Sequence, residues 1–249
     1  MEKIFYLIDY FKDPYAGTEG QLYALIQSLA EKNIKTELGV FRSSEYIEKE
    51  AFPCQVKVLD IKKMFSFSTL FTLIKLAMYL RKNDFKLVHI FFNDASVIAP
   101  VLLKCFGLKV IISRRDMGFW YTDVLKKILR INAKFVDACI CNSQAVKQIT
   151  VEAEAYKTDD VYVVYNGLPP HKFTPDEFQE NKAHKPVTEE KRARNTVGIV
   201  ANIRPVKRMQ DLVKAVGLVK EEINDIKLII VGGGDNSELT ELVNALGLV

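Results

Sequence analysis

Between Thr196 and Gly234 the hydrophobic period of the chain changes twice, and few folds accommodate such a change. Thr196–Ile203 is a continuous apolar and β-branched run, the pattern of a parallel strand buried on both faces. From Met209 the spacing lengthens. Met209, Leu212, Val213, Val216 and Val219 recur at three and four, which gathers them on one face of a helix. Ile226–Val231 is again continuously apolar and ends in Gly232, Gly233 and Gly234. Strand, helix, strand is a βαβ unit. Its crossover should be right-handed, and its ligand edge lies at the carboxyl ends of the strands.

Asn202, Arg204, Lys207 and Arg208 collect at that edge. Arg204 offers a planar fork of donors and Lys207 a point charge, both beside the start of the next helix. That combination suits a diphosphate. The competing reading is a solvated basic loop, and the position at a strand-to-helix switch favours the ligand. The three glycines do not follow the order G-x-G-x-x-G with its later acidic residue, so no NAD site is implied.

The same alternation fills the first part of the chain. Strands are expected at Ile4–Ile8, Lys35–Phe41, Val56–Ile61, Lys86–Phe92, Leu108–Ser113, Phe135–Cys141 and Val161–Tyr165, with helices between them. Gly17, Thr18 and Glu19 fall in a loop where the first strand hands over to its helix. A phosphate or sugar can approach backbone there, and capping of the helix is the compatible structural role. Arg114, Arg115 and Asp116 close a strand at its carboxyl end. They read either as an ion-paired surface turn or, by position, as an anion site. His89 sits inside a strand, where filling the core is its ordinary role.

Asn142 and Ser143 cap the helix that follows them, and Asn166-Gly167 forms a turn. Phe67–Leu80 is a long and unusually apolar helix. Packing on the sheet is the first reading; shallow contact with a membrane, flanked by Lys62, Lys63, Lys75, Arg81 and Lys82, is the second. From Pro175 to Asn195 the composition is polar and aperiodic, so 1–174 and 196–249 read as two domains joined by a linker at 175–195.

The 249 residues carry a formal net charge of +4, too small a basic excess to argue for nucleic acid. Cys54, Cys105, Cys139 and Cys141 match neither a zinc site nor a disulfide framework, and read as thiols in a reducing cytosol. The opening MEKIFYLIDYF has the pattern of a first strand and not of a signal peptide.

ANIRPVKR, LVKAV and IKLIIVGGG together resemble the start of the nucleotide-binding domain of GT-B glycosyltransferases of family 4 (glycosyl transferase group 1). AGTEGQLYALIQSLAEKN resembles the family's cleft-facing segment after the first strand. CNSQAVKQI and VYVVYNGLPPHKFTP resemble its C-x-S and N-G segments. The resemblance implies an α/β fold of two doubly wound Rossmann-like domains, the second incomplete here. It implies transfer of a sugar, with retention, from a nucleotide-diphosphate sugar to the hydroxyl of a sugar or lipid-linked acceptor in polysaccharide or glycolipid biosynthesis. Lys207 matches the family's phosphate-binding lysine. The family's glycine after it is Arg208 here, and its usual arginine aligns with Asn202, so Arg204 is taken to supply the guanidinium. Gly17 and Thr18 would line the donor side from the first domain.

Where many members carry T-x-H, this chain has Arg114-Arg115. Arg115, with Asp116, is therefore the candidate for the catalytic position. No metal and no cofactor is implied, and the expected location is the cytoplasm or the inner membrane face. The family's late E-x7-E pair has no counterpart in the second domain. Glu37 and Glu45 have the spacing, but in the first. The chain therefore reads as an N-terminal fragment or truncated product. Two alternatives stay open: a GT-B nucleotide-sugar epimerase using Asp116 and His89 for acid–base work, and a non-catalytic remnant.

Overall fold

The computed structural model describes residues 3–15, 17–167 and 195–248. The expected linker up to Arg194, with Pro169, Pro170 and Pro175, lies outside the described residues. The chain divides into two compact units, Met1–Lys172 and Phe173–Val249.

In the first unit, strands β1 (Lys3–Tyr10), β2 (Lys35–Arg42), β3 (Gln55–Val58), β4 (Leu87–Ile90), β5 (Lys109–Arg114), β6 (Ala138–Cys141) and β7 (Val161–Val163) form one sheet. Its order is β3-β2-β1-β4-β5-β6-β7, and every pairing is parallel. Both faces are covered, as parallel sheets require. Phe5, Leu7, Val88, Ile90, Val110 and Ile112 point to one core; Tyr6, Ile8, Leu38 and Val40 alternate into the other. The helices are α1 (Gly17–Glu31), α2 (Glu45–Lys49), α3 (Phe67–Lys82), α4 (Asn93–Ile98), α5 (Pro100–Cys105), α6 (Asp123–Asn132) and α7 (Gln144–Glu154).

Several boundaries are set for local reasons. The helical stretch between β4 and β5 is broken at Ala99 because Pro100 cannot continue the hydrogen-bond ladder. The helix between β5 and β6 starts at Asp123, where the Thr122 hydroxyl accepts from Leu125 N at 3.3 Å. Gly17–Glu19 is already the first turn of α1 and not loop. Ser143 caps α7 as expected, accepting from Val146 N at 3.2 Å.

The second unit contains β8 (Thr196–Val200), α8 (Met209–Lys220), β9 (Lys227–Val231) and α9 (Ser237–Ala245), with β8 and β9 parallel. Met209, Val213 and Leu239 are buried with Ile199, Leu228 and Ile230 against them. Among the described residues, helices cover one face of this two-stranded sheet. Val200, Ile229 and Val231 point away from the helices and are 84%, 52% and 53% exposed. Both described helices lie on one side of the two strands, and a continuous apolar run cannot disclose that.

Candidate functional site

The sheet of the first unit reverses its order between β1 and β4, the place where an open α/β sheet splays its loops apart. Asp9, near the end of β1, lies there. Its carboxylate accepts from Asp94 N at 2.8 Å and Ala95 N at 2.6 Å, at the start of α4. Burial pushes the Asp9 carboxyl up to about 6, against the pull of those two amides, and Asp94 adds to the rise. Asp9 and Asp94 line a cavity of about 60 Å³ with Arg42, Lys62, Lys63 and Met64. Asp9 is not among the residues singled out from sequence. The signal was present: an acidic residue closing an apolar first strand at the carboxyl edge.

Three segments singled out in sequence meet at this edge. Gln21 in α1 donates to Gly167 O at 2.7 Å and accepts from Gly167 N at 3.0 Å. Arg115 donates to the Asn166 side-chain oxygen, and Asn142 donates to Arg115 O at 3.2 Å. The Gly17 helix, the Arg115 loop and the Asn166-Gly167 turn are therefore tied into one rim. Gly17 is exposed and an added Cβ there would meet no atom within 4 Å; Thr18 is half-buried. The closer backbone approach is at Gly20, whose Cβ would come within 2.5 Å of Pro14 O.

Arg114 and Arg115 part company. Arg114 is 4% exposed. It grips Glu154 with Nε at 2.6 Å and Nη2 at 2.8 Å, and gives Nη1 to Ser96 Oγ at 2.8 Å. Burial opposes its charge, but Glu154 more than offsets this, and its pKa stands above the ordinary arginine value. An arginine spent in a buried fork cannot reach a ligand, so the anion-site reading of Arg114 is corrected. Arg115 stays at the rim, its guanidinium 5.9 Å from the Phe91 ring centre. Asp116 is exposed and accepts from Gly118 N at 2.7 Å, closing a turn in which Gly118 has φ +70°.

His89 keeps its ordinary role. It is buried against Phe91 and Tyr6, at ring separations of 4.6 and 5.5 Å, and pairs with Ser113 Oγ at 2.9 Å. Burial, with the nearby Arg115 charge, pushes its pKa down to about 3, so it is neutral. Glu37 is buried in β2, bonded by the Tyr79 hydroxyl at 3.0 Å, whereas Glu45 is an exposed partner of Lys49. Their spacing is not a shared site.

In the second unit, Lys207 N bonds to Arg204 O at 2.9 Å and closes a turn over Pro205–Lys207, which sets the two cations at either end of one short loop. Among the described residues neither side chain enters an ion pair. Arg204 lines a cavity of about 200 Å³ with Gln210, Asp235, Ser237 and Glu238. Asn202 accepts from Gly233 N at 3.3 Å and so holds the glycine turn against β8. A Cβ on Gly232 would lie 2.0 Å from Ala201 O, which is why that turn is glycine. Arg208 adopts φ +51°, the left-handed conformation that glycine reaches without strain.

The family model "Glycosyltransferase Family 4" matches residues 15–172, and "Glycosyl transferases group 1" matches residues 180–249. The chain belongs to Glycosyltransferase Family 4. Its fold is that of the GT-B glycosyltransferases, an α/β fold with Rossmann-like units. Among curated relatives, a human phosphatidylinositol N-acetylglucosaminyltransferase subunit is 25% identical over 185 residues, which is 70% of this chain and 38% of that protein. Anabaena Alr3699/HepE, solved with UDP and glucose, is 18% identical with a TM-score of 0.73 over 100% of this chain and 67% of that one. Sucrose-phosphate synthase from Thermosynechococcus elongatus is 16% identical with a TM-score of 0.74, over 99% of this chain and 68% of that one. The chain thus spans well under half of the human relative's length and about two thirds of the solved ones.

Proposed function

We propose that the chain belongs to an enzyme that moves a sugar from a nucleotide-diphosphate donor to the hydroxyl of a sugar or lipid-linked acceptor, with retention at the anomeric carbon. The carrying observation is the pair of cations at the strand-to-helix switch of the second unit. Arg204 and Lys207 stand at the two ends of one short loop, free of ion pairs among the described residues. They would take the diphosphate and stabilise the charge that develops as the sugar leaves. Asn202 would keep that loop in register through its bond to Gly233. Gly17 and Thr18 are the donor-side candidates of the first unit, and Arg115 and Asp116, on the rim, are its candidates for the catalytic position. UDP in the Anabaena structure and the N-acetylglucosaminyl group named for the human relative support a UDP-sugar as the first donor to test.

The domain division 1–174, 175–195 and 196–249 is part of the same reading, as are a polysaccharide or glycolipid product, a cytoplasmic location and a peripheral seat at the inner membrane face. No helix among the described residues is long and apolar enough to cross a membrane. For an epimerase, the buried neutral His89 is a poor acid–base group, and Asp116 is occupied in its own turn. The test is release of UDP from UDP-glucose and UDP-N-acetylglucosamine, with and without a membrane lipid extract as acceptor source. Acceptor-dependent release, lowered about a hundredfold or more in Lys207→Ala, supports the reading. An epimerised donor without acceptor would point to the other chemistry, and release that is indifferent to Lys207 would end the proposal.

A further inference from the structure

Helix α3 is apolar on two opposite sides. Leu73, Leu76, Ala77 and Leu80 are buried in the core beneath the sheet. Phe67, Phe71 and Met78, with half-buried Ile74 among them, fall on a stripe about half a turn away, given roughly 100° per residue. Phe67 is 93% exposed, Phe71 59% and Met78 58%; Phe65 just before the helix is 67% and Leu70 49% exposed. A helix packed on one side of a soluble domain ordinarily turns a polar face outward. Here the outer face is aromatic and aliphatic, and contiguous patches of this kind mark a contact surface.

The charge around the stripe identifies the partner. From Ile61 to Asn83 the chain has Lys62, Lys63, Lys75, Arg81 and Lys82 and no aspartate or glutamate. Asp60, just before this stretch, pairs with Lys62 at 3.7 Å in an exposed contact. Lys75 borders the stripe, its Nζ 4.5 Å from the Phe71 ring centre. An aromatic face bordered chiefly by cations is the composition of a helix lying in the plane of an anionic bilayer. It is poorly suited to an acidic protein groove, which would leave the phenylalanines without apolar cover.

Lys62, Lys63 and Met64 also line the cavity that holds Asp9 and Asp94, and Phe65 and Phe67 follow directly in the chain. The same segment therefore shapes the ligand edge and carries the apolar stripe.

We propose that the first unit docks on an anionic membrane surface through Phe65, Phe67, Leu70, Phe71 and Met78, with Lys62, Lys63 and Lys75 among the phosphates. The mouth of the Asp9–Asp94 cavity then sits at headgroup level, open to the head of a lipid-anchored acceptor. This last step rests on the glycosyltransferase reading; the docking does not.

The test is co-sedimentation of the full chain with vesicles of phosphatidylcholine alone and of phosphatidylcholine mixed with phosphatidylglycerol, at low and high salt. The expected result is binding to the mixed vesicles only, weakened by salt. The Phe67→Ser and Phe71→Ser variants should each lower partitioning roughly tenfold. K62E/K63E should abolish the preference for the anionic lipid. These side chains are exposed, so the melting temperature of each variant should match the parent. No sedimentation with anionic vesicles would overturn the proposal. So would binding untouched by the phenylalanine changes, or a concentration-dependent dimer that Phe67→Ser dissolves, which would make the stripe a self-association face. Because vesicle binding needs neither donor nor acceptor, its failure is distinguishable from failure of the transfer assay.

Discussion

The two units use the same strand–helix–strand unit to different degrees of closure. In the first, the seven-stranded sheet is sandwiched, and its central strands are almost wholly buried. In the second, the two described strands are covered on one face, and Val200, Ile229 and Val231 stand open on the other. A βαβ unit can build a ligand edge from one crossover. It cannot bury both faces of its sheet with helices on one side. The loop of Arg204 and Lys207, proposed to take a diphosphate, therefore stands on the unit whose described strands are open on one face, while the rim around Arg115 is anchored in a deep core.

The largest consequence is at the buried fork. Glu154→Ala leaves the Arg114 guanidinium without its carboxylate and the Tyr121 hydroxyl without its acceptor. The cost should be about 3–5 kcal/mol, read as a fall in the urea midpoint of the first unit. A loss under about 1 kcal/mol would mean the core there is not closed as described.

Paired truncations sharpen the contrast directly. Ile112→Ala, at a fully buried position of β5, should cost about 2–5 kcal/mol, and Val200→Ala, 84% exposed, less than about 0.5. Equal losses would show that the second sheet is covered on both sides in solution.

His89 gives the pH test. Its pKa is depressed from 6.5 to about 3 in the fold, so the stability linked to its neutral form is complete above pH 6.5 and is lost as pH falls. Between pH 6.5 and about 5 that loss should be about 2 kcal/mol. Asp9, pushed up to about 6, works in the opposite sense, favouring the fold as pH falls. H89Q should therefore flatten or reverse the acid-side slope of the thermal midpoint.

The smallest effect is a gain. Arg208→Gly removes a bulky residue from φ +51° and gives up only an exposed pair with Asp211. A stabilisation of about 0.5–1 kcal/mol in the second unit is expected.

The βαβ rhythm, the strand positions and the Ser143 cap were legible because period and cap chemistry are local. What was not legible depended on neighbours far off in sequence. Arg114 and Arg115 are adjacent and identical in type, yet only the approach of Glu154, 40 residues on, decides which one is spent. Asp9 gains its surroundings from α4 and from Lys62 and Lys63. The open face of β8 follows from which side α8 and α9 take, and a continuous apolar run reads the same either way. The outer stripe of α3 was visible as apolar content, but its direction required the sheet.

Arg204 and Lys207 are proposed to form a diphosphate site on the second unit. Titration of the full chain with UDP, followed by calorimetry, tests it most directly. One-to-one binding is expected, weakened about tenfold or more by Lys207→Ala and unchanged by alanine at exposed Lys49. Absence of UDP binding by the folded chain, or equal binding by the Lys207 variant, would contradict it.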